Sequence, residues 1–220
     1  MRILIAPNAS KGSCPASAVA KPIEAGLKKS RLKNTCHCFP IGDGGDGTGE
    51  LIIHHLNGEI VDVSVQDPLG ENIHTTAGLI NNRKNAVIEM ANASGLRLLN
   101  KNRLNRLWAS SFGTGESISQ LLDRGVTKII IGMGGSATVD GGTGILSALG
   151  IGFFDSAGNR LDKLPQSMVK LHTVDTSRLD KRISTCEILV LCDVTNHLLG
   201  EAGSAKIFGP QTGVDEEAVQ

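Results

Sequence analysis

The stretch Lys-Ile-Ile-Ile-Gly-Met-Gly-Gly-Ser-Ala-Thr-Val-Asp-Gly-Gly-Thr-Gly, residues 128–144, joins an apolar strand to a loop of small residues around one carboxylate. Each of its six glycines costs about 0.5–1 kcal/mol of folding free energy relative to alanine, so a purely structural loop would have little reason to keep them all. Glycine also lets a backbone approach a ligand closely. The stretch therefore predicts a binding site, and phosphate is the ligand that best fits it.

The N-terminal segments follow a similar order of strand, loop and helix. Residues 2–7 are apolar apart from Arg2, which predicts a fully buried strand of an α/β sheet. Val19, Ile23 and Leu27 recur at helical spacing, and Pro22 is expected to kink or shorten that helix. A second strand at 36–41, an acidic glycine loop at 42–48 and a helix at 50–56 follow.

From residue 60 the apolar period changes to two. Val61, Val63 and Val65 alternate with polar residues and the alternation resumes after a turn, which predicts an antiparallel meander over residues 59–91. Helical spacing then returns, with Ile118, Leu121 and Leu122 on one face of a helix. Further strands are predicted at 126–131 and 187–192, with a hairpin turn at 155–159.

This alternation predicts an α/β protein in two parts. We expect residues 1–58 to form the first part of one domain and residues 59–220 to form an inserted second α/β domain that begins with the meander. If the strands that precede Asp43, Ser136 and Asp193 are parallel, their carboxyl ends share one edge, where open α/β sheets bind ligands. These three side chains would then lie together.

Composition excludes several classes of protein. Lys plus Arg and Asp plus Glu number 22 each, so no net charge attracts nucleic acid or an anionic membrane. Aromatic residues make up 3% of the chain and Tyr is absent, which argues against single-stranded nucleic acid. No apolar run reaches the length of a signal peptide or a membrane helix, which predicts a cytoplasmic protein. Five cysteines, an odd number, suit a reducing compartment, and we expect buried strand cysteines and no metal ligands.

Two phosphate-binding motifs fit the glycine loop poorly. Residues 132–137 match the G-x-G-x-x-A dinucleotide fingerprint, but that motif should open a long helix, and glycines follow at 141, 142 and 144 instead. A Walker A loop is excluded because no Gly-Lys-Ser or Gly-Lys-Thr is present. Backbone N–H groups at glycine turns can also hold an anion, with Ser136, Thr138 and Thr114 as added donors.

Four carboxylates in glycine-rich or strand-end loops could bind Mg²⁺ or deprotonate a hydroxyl: Asp43, Asp46, Asp140 and Asp193. The simpler interpretation of any one of them is an ordinary turn or helix cap. Lys11 lies between the first strand and the first helix, where a cation can meet an anionic substrate, although a solvated surface lysine is the alternative.

The chain resembles the bacterial glycerate kinase family over its whole length. The motifs that carry the resemblance are residues 6–7, 11–13, 43–48, 67–70, 88–91, 93–96, 113–116, 132–142, 192–196 and 208–211. The resemblance implies a flavodoxin-like doubly wound domain interrupted by a second α/β domain similar to restriction endonucleases. It also implies ATP-dependent phosphorylation of D-glycerate, more often to 2-phosphoglycerate than to 3-phosphoglycerate, with ATP and Mg²⁺ as cofactors.

Under this resemblance the candidate residues receive expected roles. Catalytic roles are expected for Lys11, Asp43, Asp140 and Asp193, and metal binding for Asp193 and Asp46. Substrate or phosphate binding is expected for Ser13, Gly44, Gly45, Thr114, Gly134, Gly135, Ser136, Asn196 and Gln211. D-glycerate and ATP are the expected partners, nucleic acid and membrane are not, and assembly of identical copies is left open.

The chain also departs from the family pattern. The usual Asp after Ala-Pro is Asn8, and three further positions differ, at Ser10, His197 and Thr212. Asn8 can bond to a substrate hydroxyl but cannot act as a base. Relatives continue beyond residue 220, so we expect a truncated sequence. A non-catalytic remnant or interaction protein is therefore the alternative function, and a dinucleotide-binding oxidoreductase the third.

Overall fold

The computed structural model describes residues 1–10, 13–99, 108–162, 164–197, 200 and 203–208. Within these residues the chain is a mixed α/β protein with one five-stranded sheet and two two-stranded sheets. None of its helices there has the length and apolarity needed to cross a membrane.

The five-stranded sheet contains the main core. Its strands stand in the order β3 (Glu59–Gln66), β4 (Asn72–Ile80), β5 (Asn85–Glu89), β6 (Lys128–Gly132) and β9 (Glu187–Leu191). β3, β4 and β5 are antiparallel, which confirms the predicted meander, whereas β5, β6 and β9 are parallel. β5 also pairs with β6, so the meander and the parallel strands form one continuous sheet.

Alternation along β3 places Val61, Val63 and Val65 inside, where they meet one face of helix α4. The helices are α1 (Ala16–Lys29), α2 (Thr48–His55), α3 (Met90–Ser94), α4 (Phe112–Asp123), α5 (Thr143–Ala148) and α6 (Ser204–Phe208). Ile118, Leu121 and Leu122 are buried as predicted. Helix α2 packs on β4 and β5, so the acidic glycine loop before it is brought to the larger sheet.

The first strand is far less buried than predicted. β1 (Arg2–Ile5) pairs in parallel with β2 (Thr35–Cys38), but Leu4 is 67% exposed and only Ile5 is buried. An apolar strand is buried on both faces only when both faces are covered, and among the described residues this sheet has α1 on one side.

Helix α1 continues through Pro22 to Lys29, so the predicted shortening is wrong. Pro22 lies on the exposed side, where water can satisfy the carbonyl that loses its partner. Helix α1 buries Ala16 and Ala20, while its Ile23 is 42% exposed.

The segment after α5 forms a smaller unit. Strands β7 (Gly152–Phe154) and β8 (Thr173–Asp175) pair antiparallel, and Ile151, Phe153, Leu161 and Leu164 form a second apolar cluster. The predicted turn is present, since the Asp155 N–H donates to the Asn159 carbonyl at 3.0 Å. All five cysteines are free and none is buried, so the expectation of buried strand cysteines is wrong.

Candidate active site

Three loops meet at the carboxyl edge of the parallel strands. The Gly134 N–H donates to the Gly44 carbonyl at 3.0 Å, and the Met133 N–H donates to the Leu191 carbonyl at 3.1 Å. The loop after β2, the loop after β6 and the end of β9 are thus joined through their backbones. We call residues 43–46, 133–136 and 191–193 the edge cluster.

Close packing accounts for several glycines of the edge cluster. A Cβ on Gly44 would lie 2.9 Å from the Leu191 carbonyl oxygen, and a Cβ on Gly134 would overlap the Cα of Gly45. Gly135 adopts a φ of +73°, which side-chain-bearing residues rarely take. These glycines therefore let two loops approach each other, a requirement separate from binding a ligand.

Asp43 carries the most defined carboxylate of the edge cluster. Its Oδ1 accepts from the Gly45 N–H at 3.0 Å, and its Oδ2 accepts from Asn8 Nδ2 at 2.6 Å. The bond from Gly45, and after it the bond from Asn8, holds the pKa of Asp43 below its ordinary value. The carboxylate is therefore ionised at neutral pH, which suits a cation ligand better than a strong base.

Asp46 and Asp193 are exposed carboxylates of the edge cluster, on the loop after β2 and on the segment after β9. A Cβ on Gly135 would lie 2.6 Å from Asp46 Oδ1, which places Asp46 at the glycine loop after β6. Asp193 follows Cys192, whose backbone faces Gly44. Among the described residues neither carboxylate has a hydrogen-bond partner.

Ser136 is half-buried, and its hydroxyl stays within its own loop. Its Oγ accepts from the Thr138 N–H at 3.1 Å and lies 3.0 Å from Thr138 Oγ1. The backbone of the same loop bonds to the segment after α3, since the Leu96 N–H donates to the Gly135 carbonyl and the Ala137 N–H to the Ser94 carbonyl. This arrangement fixes the position of the Ser136 hydroxyl at the edge.

Thr114 and Asp140 use their side chains inside the protein. Thr114 is buried in α4, and its Oγ1 lies 2.8 Å from Ser94 Oγ. Asp140 Oδ2 accepts from the Ser111 N–H and hydroxyl at 2.8 Å each and from the Gly144 N–H at 3.1 Å. Asp140 is 4% exposed, so its carboxylate joins the starts of α4 and α5.

The structure describes only some of the remaining predicted site residues. Ser13 and Asn196 are exposed, while Lys11 and Gln211 lie outside the described residues. Sequence analysis missed the bond from Asn8 to Asp43 and a buried carboxylate, Glu89, at the carboxyl end of β5. A charged residue directly after the apolar run 86–88 was the signal that could have pointed to Glu89.

The loop after β6 does not have the geometry of a dinucleotide fingerprint. The chain passes from β6 through turns, and the next helix, α5, begins only at Thr143. A dinucleotide fingerprint should open a helix whose N-terminus faces a pyrophosphate. In this described segment no helix begins directly after Gly132. Across the described residues there is also no group of three or more His, Cys, Asp or Glu side chains that would hold a metal ion alone.

A cavity of about 480 Å³ lies apart from the edge cluster. Its walls include the turn after β3, Trp108, Ser110 and Arg160. Trp108 is 58% exposed, and its Nε1 donates to Gln166 Oε1 at 2.9 Å. No residue of the edge cluster lines this cavity.

Comparison with known proteins gives consistent matches. The sequence model of the glycerate kinase family matches residues 3–220. The chain is 43% identical over 219 residues to glycerate 2-kinase of Escherichia coli strain K12, covering 100% of this chain and 58% of that protein. It is 41% identical over 218 residues to glycerate kinase of Halalkalibacterium halodurans, covering 99% and 57% of the two chains.

A solved structure has the same fold over this length. The crystal structure of a Salmonella typhimurium LT2 protein assigned as glycerate kinase 2 superposes with a TM-score of 0.86 at 43% identity, covering 100% of this chain and 59% of that chain. The chain thus spans about three-fifths of the length of the relatives it matches.

Proposed function

Because this chain belongs to the glycerate kinase family, we propose that its edge cluster takes part in the transfer of the γ-phosphoryl group of ATP to a hydroxyl of D-glycerate. The 2-hydroxyl is the proposed acceptor, since the Escherichia coli relative at 43% identity is a glycerate 2-kinase. ATP and D-glycerate are then the proposed small-molecule partners.

One observation carries the proposal: the acidic glycine loop at 43–46 and the glycine loop at 133–136 are bonded together at the carboxyl edge of parallel strands. Ligands of open α/β sheets bind beyond this edge. Phosphoryl transfer depends mainly on positioning and electrostatic stabilisation, which fixed loops of backbone donors and carboxylates can supply.

The carboxylates of the edge cluster fit Mg²⁺ in the manner usual for nucleotide enzymes. Mg²⁺ is commonly held by one or two carboxylates together with phosphates and water. Asp46 and Asp193 are the proposed ligands, and Asp43, ionised and fixed by Gly45 and Asn8, adds negative charge to the loop that carries Asp46. When bound with ATP, the ion would neutralise charge on the phosphates.

The turn at Gly134, Gly135 and Ser136 is the proposed phosphate contact, with the N–H groups of Gly135 and Ser136 as donors, since the Gly134 N–H donates to Gly44. Gly135 is exposed and Ser136 half-buried, so a phosphate can reach this turn from solvent. Substrate or phosphate contacts are also proposed for Lys11, Ser13, Asn196 and Gln211. Catalytic roles are proposed for Lys11 and Asp140. The bonds of Asp140 to Ser111 and Gly144 favour a structural contribution from that carboxylate.

We also propose the finer fold that the family implies. Residues 1–58 would begin a flavodoxin-like domain, and residues 59–220 would form an inserted domain similar to restriction endonucleases. The separation of the β1–β2 sheet from the five-stranded sheet supports two units. The packing of α2 on β4 and β5 is then a contact between the two units.

The experiment is an assay of ADP release by the purified chain with Mg-ATP and D-glycerate, beside the variants Asp43→Asn and Asp193→Asn. We expect turnover in the wild-type chain and a loss of about 100-fold in each variant, as for removal of one stabilising group at a phosphoryl-transfer site. Asp155→Asn is the matched control, because Asp155 is an exposed loop carboxylate with backbone bonds in the β7–β8 unit.

Turnover that persists unchanged in both edge variants would contradict the proposed site. A folded, monodisperse chain without turnover would instead support the alternative of a non-catalytic or interaction protein of the same fold.

A further inference from the structure

Glu89 is a buried carboxylate that the proposed reaction does not use. It ends β5, stands in register with Gly132 on β6, and is 9% exposed. Its Oε1 accepts from the Gly49 N–H at 2.6 Å, a bond that spans 40 residues of sequence. A charge in this position requires a specific reason, because burial of a carboxylate is costly unless it is well bonded.

The reason lies at the start of helix α2. Gly49 is the second residue of α2, and the residue before the helix, Gly47, has no side chain that could accept from the first N–H groups. Glu89 supplies that acceptor from a neighbouring strand, and its negative charge is favourable at a helix N-terminus. A Cβ on residue 49 would lie 2.9 Å from Glu89 Cγ, so glycine there makes room for the carboxylate.

The first turn of α2 is also hydrogen-bonded to the edge cluster. Thr48, the first residue of α2, is buried, and its Oγ1 accepts from the Gly44 N–H at 3.1 Å. Gly44 in turn accepts from the Gly134 N–H at 3.0 Å. A continuous series of bonds therefore runs from Glu89 through the start of α2 to the loop that carries Asp43 and Asp46.

We propose that Glu89 is a positioning residue that holds the 43–46 loop in place by fixing the start of α2. This inference rests on the proposed function only for its catalytic consequence, whereas the anchoring itself can be measured without activity. Glu89 touches no proposed substrate group and acts through Gly49 and Thr48.

The test compares Glu89→Ala and Glu89→Gln by hydrogen exchange resolved to single amides. In Glu89→Ala we expect the amides of Gly44 and Gly49 to exchange about 10- to 100-fold faster, as for loss of a charge-assisted bond. Glu89→Gln keeps an acceptor oxygen and should recover part of this protection. Glu116→Ala is the matched control, because Glu116 Oε2 accepts one backbone N–H, that of Gln66, at 2.7 Å away from the edge.

Unchanged exchange at Gly44 and Gly49 in both Glu89 variants would overturn the proposal, as would equal loss of protection in the Glu116 control. If Glu89→Ala does not fold, Glu89→Gln decides on its own by the exchange rate at Gly49. For turnover we expect kcat to fall by up to about 100-fold with little change in KM for glycerate, since the loop is misplaced rather than removed. A wild-type chain without turnover would contradict the proposed function and leave the exchange result to decide on Glu89.

Discussion

Replacing Asp140 by alanine separates the structural role of this carboxylate from its proposed catalytic role. Asp140 accepts four hydrogen bonds, three at Oδ2 from Ser111 and Gly144 and one at Oδ1 from the Gly142 N–H at 3.0 Å. The Ser111 and Gly144 N–H groups lie in buried residues, where no solvent replaces the lost acceptor. Each buried donor left without a partner costs about 1–3 kcal/mol.

Three buried donors, the Ser111 N–H, the Ser111 hydroxyl and the Gly144 N–H, give a range of about 3–9 kcal/mol, and rotation of the hydroxyl together with partial relaxation favours its lower end. We expect Asp140→Ala to lower the free energy of unfolding by about 3 kcal/mol, equivalent to a fall in Tm of about 6–12 °C for a chain of this size. Urea denaturation followed by circular dichroism measures the first quantity and calorimetry the second.

Asp155→Ala is the control. Its Oδ1 also accepts from two backbone N–H groups, but these lie in an exposed turn where water can replace the carboxylate, so the loss should stay below about 1 kcal/mol. A change in Asp140→Ala no greater than that of the control would refute the structural argument. Lost turnover at unchanged stability would assign Asp140 to catalysis instead.

Three further predictions concern the loops around the edge cluster. Gly134→Ala should lower the free energy of unfolding by about 1–3 kcal/mol, because the new Cβ would meet the backbone of Gly45. Gly26→Ala is the control: residue 26 lies in α1 with open space around it, so alanine there should raise the free energy of unfolding by about 0.5–1 kcal/mol. Urea midpoints that move in the same direction in both variants would contradict this prediction. The hydrogen bond from Asn8 lowers the pKa of Asp43 in the folded state. The stability that this bond contributes is therefore present above the ordinary Asp pKa of about 3.9 and is lost as the pH falls through the lower pKa of the folded state. Asn8→Ala should raise the Asp43 pKa and move this loss to higher pH, and an NMR titration with an unchanged pKa would show that the bond has no effect. Thr114→Val should cost about 1–2 kcal/mol by leaving the buried Ser94 hydroxyl without its partner, and a rise in KM for ATP without loss of stability would favour the predicted phosphate contact over the structural one.

Local periodicity was enough to predict the elements of the five-stranded sheet. Val61, Val63 and Val65 face inward because a strand turns its side chains with a period of two, and this rule needs no knowledge of distant residues. The sequence also indicated that the loops before α2 and after β6 would meet, because parallel strands share a carboxyl edge. The bond between Gly134 and Gly44 does join these loops, but β2, which precedes the first loop, lies in a separate two-stranded sheet, so the reason given for their meeting is wrong.

Features that depend on distant partners could not be predicted in this way. The apolar character of β1 predicted burial, but burial depends on what covers the strand, and Leu4 stays exposed. The bond from Asn8 to Asp43 joins residues 35 positions apart, and that from Glu89 to Gly49 joins residues 40 apart. No local pattern encodes either pairing. The sequence therefore predicted ligand contacts for Gly44 and Gly134, which also serve close packing, and made no prediction for Gly49.

Trp108 gives the chain a built-in optical reporter. The sequence holds one tryptophan and no tyrosine, so indole fluorescence comes from a single position. That indole is 58% exposed, and its N–H donates to Gln166. The polarity around the indole therefore depends on the contact between the segment before α4 and the segment after Pro165. A shift in its emission maximum would therefore follow the opening of this contact or the filling of the neighbouring cavity, without any introduced dye.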